Sequence, residues 1–263
     1  MNASHRPVQG PAAVDHRAAV AEETARFVAV TEGADLALPV PACPGWTLAD
    51  LVKHTGSVQR WFSVLLRTQV QGPPRSREVD LRLPADEGHY PAWLAESADE
   101  AADAFAATAP DVPMYAWGAD QHARFWARRM LFETLVHRTD AESALGLHPA
   151  IDRALAADGI DEFLVNLPYA GIFAPKVGHL RGTGETIRFA AVDADREWLV
   201  RLRPDGFGVD ATDTATVGAD AGVRGTAADL LLLLYGRRRH ADPSFEREGD
   251  EHLLAHWFAN SEF

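Results

Sequence analysis

Glu133 and His137 stand four residues apart in a stretch that reads as helix, so a carboxylate and an imidazole project from one face, one turn apart. At about 100° per residue, Trp126, Met130, Ala141 and Ala144 form one apolar strip of that helix, and Phe125, Phe132 and Val136 form a neighbouring one. Glu133 and His137 fall between the two strips, and Arg128, Arg138 and Glu142 fall on the opposite side. An inward carboxylate without a partner is costly, and a metal ion removes that cost. A second helix offers His54 on the inward arc of Val58, Trp61 and Leu65. Two histidines and one glutamate form a ligand set typical of catalytic zinc. It also suits nickel, iron or manganese. The plainer alternatives are a core histidine bonded to a carbonyl and an ordinary Glu–His helix pair.

Two other groups carry weaker signals. Glu251, His252 and His256 flank the apolar stripe Leu253, Leu254, Trp257 and Phe258 near the C-terminus, which reads as a solvated face. Cys43 could be a nucleophile or a further ligand, but a small apolar plug beside Trp46 is the preferred reading. No phosphate loop, dinucleotide glycine fingerprint or nucleophile elbow is present.

The elements that must position these residues follow from caps and periodicity. Residues 1–12 read as disordered, and a first helix is expected over 14–35. The segment from Leu38 to Gly45 is expected to be extended and stiffened by proline. Thr47 and Asp50 spell a capping box, with Trp46 and Leu51 as a hydrophobic staple, for a second helix running to about Gln69. A proline-rich, charged loop at 71–90 precedes a third helix over 91–108, and a fourth spans 120–145 up to Gly146. Four such helices suggest an antiparallel bundle. The remainder predicts a helix over 151–166, strands at 186–192 and 196–203, a possible strand at 215–219, a helix from Thr226 to Gly236 and a last helix over 250–259. The fold class is α+β, with a disordered tail (1–12), a metal-binding four-helix bundle (13–148) and a smaller α+β domain (149–263).

The formal net charge of −13 speaks against nucleic acid and anionic membranes as partners. One cysteine excludes an internal disulfide, the start lacks a signal-peptide pattern, and the longest apolar run, Leu230 to Tyr235, is too short to span a bilayer. A cytoplasmic location is expected. Oligomeric state is not legible.

The runs VPACPGWTLADLVKHTG (40–56) and RRMLFETLVHRTDAESALG (128–146) resemble the mycothiol-dependent maleylpyruvate isomerase family, which belongs to the DinB-like metal-binding bundles. VGADAGVRGTAADLLLLLYGRRR (217–239) and EREGDEHLLAHW (246–257) are similar to its sterol-carrier-like C-terminal domain. The resemblance implies a divalent metal, zinc by preference, on His54, Glu133 and His137. It implies mycothiol as the thiol cofactor and a small electrophilic substrate. It also implies a catalytic arginine after the glycine that ends the Leu-rich helix; Arg237 is the match, with Arg238 and Arg239 directly behind it. The leading expectation is thiol addition or transfer, as an S-transferase or a cis–trans isomerase. The rivals are a non-catalytic metal-stabilised binding or regulatory module, and a hydrolase using metal-bound water.

Overall fold

The computed structural model describes residues 14–73, 79–210 and 218–262. The expected disordered tail at 1–12 and residues 215–217 of the expected third strand lie outside them. Among the described residues the helices are α1 (His16–Thr31), α2 (Leu48–Thr68), α3 (Tyr90–Ala107), α4 (Ala123–Ala144), α5 (Arg153–Asn166), α6 (Ala227–Leu234) and α7 (Glu251–Asn260). The strands are β1 (Thr186–Ala191), β2 (Arg196–Arg203), β3 (Gly206–Val209), β4 (Ala221–Gly225) and β5 (Glu246–Gly249). No helix among the described residues is long and apolar enough to cross a membrane.

Local chemistry sets the boundaries. The Thr47–Asp50 capping box is formed: Thr47 Oγ1 accepts from the Asp50 amide at 3.2 Å, and Asp50 accepts from the Thr47 amide at 3.0 Å. Thr226 caps α6 in the same way through the Asp229 amide, at 3.1 Å. Gly146 and Gly236 both adopt φ of +73°, which lets the chain turn after α4 and α6. The segment before α2 departs from the extended expectation. The Val40 amide donates to the Trp46 carbonyl (2.9 Å) and the Trp46 amide to the Cys43 carbonyl (3.0 Å), so the loop doubles back.

α1 to α4 pack on one another, α2 against α3 and α4, and α1 against α3 and α4. The second half is a five-stranded sheet in the order β3-β2-β1-β4-β5. β1 and β4 run parallel and the other pairs antiparallel. Sequence periodicity misses β3, β4 and β5. β4 (AGVRG) is mostly small residues and β5 (EREG) is wholly exposed, so neither carries alternating apolar residues. They exist because β1 and β4 offer edges to pair with. Of the expected strand at 215–219, the described Gly218 and Ala219 lie outside any strand and precede β4.

One apolar core runs through both halves, holding Trp126 and Phe132 of α4, Ile160 of α5, Leu231 of α6, Phe189 of β1 and Trp257 of α7. Gly159 of α5 sits at a close approach within this core. A Cβ there would lie 2.8 Å from both Phe132 and Leu231, so only glycine lets α5 seat between α4 and α6.

Arg138, on the side of α4 opposite the inward arc, is nonetheless buried. It is 1% exposed and donates to Glu23 at 2.7 Å, to Glu142 at 2.6 Å and to the Ala150 carbonyl at 3.1 Å. Glu23 is itself buried in α1, so the ion pair clamps α1 to α4. Arg138→Ala should therefore destabilise the fold by about 3–5 kcal/mol, the cost of stranding one member of a buried pair. Urea unfolding of the two proteins reads this directly, and a loss under about 1 kcal/mol would assign the pair no net role.

Candidate metal centre

α2 and α4 cross so that His54 and the Glu133–His137 pair face each other. The two rings are 4.9 Å apart at an interplanar angle of 87°. His54 Nε2 lies 3.0 Å, and His137 Nε2 3.4 Å, from Glu133 Oε1. One ligand atom from each of the three lies within 4.8 Å of the other two. Their side chains are 34, 22 and 11% exposed in the order 54, 133, 137, so all three can be reached yet none is fully solvated. Trp46 lies over both imidazoles, at 5.0 Å from His54 and stacked on His137 at 6.2 Å.

Glu133 and His137 are held from behind. Arg129, one turn before Glu133, donates to Glu133 Oε2 at 2.6 Å, which leaves Oε1 for the histidines. Arg129 also donates to Glu162 of α5 at 2.9 Å and to the Tyr235 hydroxyl at 2.8 Å, and that hydroxyl donates to Glu162 at 3.2 Å. Asp140 accepts from His137 Nδ1 at 3.1 Å. With Nδ1 engaged in this way, Nε2 is the nitrogen turned towards Glu133 and His54, and it would be the one offered to an ion, as partner carboxylates arrange for metal-ligating histidines.

Asp140 is in turn gripped by Arg237, whose Nε and Nη2 reach its two oxygens at 3.0 and 2.7 Å. Arg237 Nη1 donates to the Tyr235 carbonyl at 2.7 Å. The guanidinium fork of the expected catalytic arginine is thus already engaged. Arg238 points elsewhere, pairing with Asp229 and Asp242, and Arg239 is exposed outside this cavity. Cys43 packs beside Trp46 against an apolar cluster that includes Val40 and Leu48, as the plug reading expects, but it also has polar neighbours. The doubled-back loop places its Sγ 3.6 Å from Asp140 and 3.7 Å from Arg237, among polar groups. Cys43, His137 and Asp140 also bring ligand atoms within 4.8 Å of one another. Arg237 already supplies the positive charge at that trio. The C-terminal His252 and His256 are exposed, as their pattern predicts.

The electrostatics call for a cation. Burial opposes charge on Glu133, but hydrogen bonds from His137 and His54 and the charge of Arg129 outweigh it and hold the carboxyl well below its usual range. Burial likewise opposes charge on His137, yet its bonds to Asp140, Cys43 and Glu133 push its pKa well up. Asp140 is depressed because His137 and Arg237 overcome its desolvation. A site that draws a proton onto His137 is one that a divalent cation could fill. Two nitrogens and one oxygen are a donor set for such an ion, and the trio lines a cavity of about 510 Å³, as catalytic rather than closed sites do.

The N-terminal domain model for mycothiol maleylpyruvate isomerase matches residues 17–142, and the MDMPI C-terminal domain model matches 154–256. The chain belongs to the mycothiol-dependent maleylpyruvate isomerase family. This is a family of enzymes. The crystal structure of the mycothiol-dependent maleylpyruvate isomerase is similar in fold, at 13% identity, a TM-score of 0.59, and coverage of 89% of this chain and 92% of that one. The structure of a histidine-to-alanine mutant of that enzyme is similar at 12% identity and a TM-score of 0.60, with the same coverage. No protein of curated function matches the sequence.

The signs of the shifts set a pH dependence. A raised histidine stabilises the metal-free fold below its unfolded value of 6.5, and that stability is lost as pH rises through the folded value. Metal-free protein should therefore lose stability on the alkaline side of neutrality, and His137→Gln should lack that loss. With a divalent ion present the slope should reverse, because the ion needs the neutral ring. Thermal melts across pH with and without zinc check both signs. Identical slopes with and without the ion would count against His137 as a ligand.

Proposed function

We propose that this member of the family is a metal-dependent enzyme that turns mycothiol into a nucleophile towards a small electrophilic molecule. The observation that carries the reading is the convergence of His54, Glu133 and His137 on the wall of a cavity, with Glu133 and His137 each aimed by a partner behind it. The family and structural matches support an isomerase-type role. Zinc is the preferred ion for this donor set. Bound there, it supplies the charge that lowers a thiol pKa into the neutral range.

The chain's own residues do the rest. Arg129 presents one oxygen of Glu133, and Asp140 presents Nε2 of His137. Trp46 packs against both rings and limits how they can turn. Arg237 holds Asp140 in place and sets its charge, a positioning role for the arginine expected to be catalytic. The thiol sulfur bonds to the electrophilic carbon. In isomerisation the π pair of a cis double bond moves onto the adjacent conjugated carbonyl, and the new single bond rotates. Expulsion of the sulfur then restores the double bond as trans, with no net change in composition. In S-transfer the adduct keeps the sulfur and takes the thiol proton on carbon, or the new bond forms as a leaving group departs. Such chemistry suits the cytoplasm, where thiols stay reduced.

Zinc-loaded protein should turn over an electrophile only when mycothiol is supplied. Turnover without thiol would replace this reading with a metal–water hydrolase. His54→Ala and His137→Ala should each lose bound metal and activity together, and full metal content in either would remove that residue from the ligand set. Arg237→Ala should keep the metal and lose activity by about 10–100-fold, the usual cost of removing a partner behind a ligand. Unchanged turnover would deny Arg237 its positioning role.

A further inference from the structure

We propose, resting on the function above, that the electrophile taken here is an uncharged molecule with a planar aromatic or extended apolar body, not a small dicarboxylate. The cavity has two unlike ends. His54, Glu133, His137, Cys43 and Arg237 form the polar end, whereas Trp61, Phe62, Trp117 and Phe173 form the other.

A dicarboxylate needs cations that are not already engaged. Arg129 and Arg237 are the arginines among the described residues lining the cavity. Arg237 is forked onto Asp140, and Arg129 bridges Glu133 and Glu162. With a zinc ion and a thiolate in place, two guanidinium charges and the ion would face three carboxylates and the sulfur, which leaves no net positive charge. A substrate carboxylate entering here would have to displace one of those carboxylates.

The aromatic end is built as a fixed surface. Phe173 meets Trp117 at 5.5 Å, Trp117 meets Phe125 at 5.3 Å, and Phe125 meets Trp126 at 5.1 Å. Trp126 then backs Phe62 at 5.0 Å and Trp61 at 5.7 Å. Edge and tilted contacts of this kind lock the rings in place before a ligand arrives. Phe173, which lines the cavity, is 49% exposed, and Ile172 and Tyr169 of the same segment of chain are 72 and 51% exposed. Exposed apolar clusters on an otherwise charged surface mark binding sites.

The test compares two electrophiles on zinc-loaded protein with mycothiol. One is monochlorobimane, planar and uncharged, on which the sulfur bonds to the methylene carbon, chloride leaves, and the thiol proton goes to solvent. The other is maleylpyruvate. The bimane should show the higher kcat/KM, by about 100-fold on the scale of pocket discrimination. Phe173→Ala, at a half-exposed position, should raise its KM about tenfold while leaving metal content and the KM for mycothiol unchanged. Binding of a halide-free methylbimane, read by quenching of tryptophan fluorescence, should weaken in the same variant. Preference for maleylpyruvate would overturn the inference. So would an effect of Phe173→Ala on the thiol KM alone, which would assign the aromatic wall to the body of the thiol. If neither electrophile reacts but methylbimane binds and Phe173→Ala weakens it, the apolar site stands and the proposed catalysis falls.

Discussion

A carboxylate with little access to water governs this structure. Glu133 sits in α4 where an unpaired charge would cost several kcal/mol. The fold answers with Arg129 on one oxygen and two imidazoles on the other. Satisfying Arg129 then requires Glu162 from α5 and Tyr235 from the end of α6. The position of one acid in the first half of the chain therefore dictates how the second half must dock.

The same logic repeats one turn further along α4. Asp140 is buried, and its partners come from α4 itself, from the loop before α2 and from the turn after α6. Glu133 and His137 each have a fixed neighbour, and each neighbour is fixed in turn by groups from elsewhere in the chain. Such layered support holds the donor atoms of α4 in place.

Much of this was legible in the sequence because it is local. Helical periodicity places Glu133 and His137 inward, and the Thr47 and Thr226 caps mark where α2 and α6 begin. The misses share a physical cause. Arg138 looks like a surface residue until Glu23, 115 positions away, is seen beside it. Cys43 packs where a plug should, but its polar neighbour Arg237 comes from 194 positions away. Arg129 and Asp140 were within reach, one turn before Glu133 and three residues after His137, had polar residues on the inward arc been treated as supports. β4 and β5 lack any alternating signal, since their stability lies in neighbours rather than in their own side chains.

The missing side chain at Gly159 has an influence that its distance from the chemistry conceals. It sets how deeply α5 seats against α4 and α6, and these helices carry or lead into Glu162, Arg129 and Tyr235. A single methyl group there would act as a shim, lifting the brace away from the acid it steadies. The seam between the two halves is thus a tuning screw for donor alignment, turned by a residue that touches no donor.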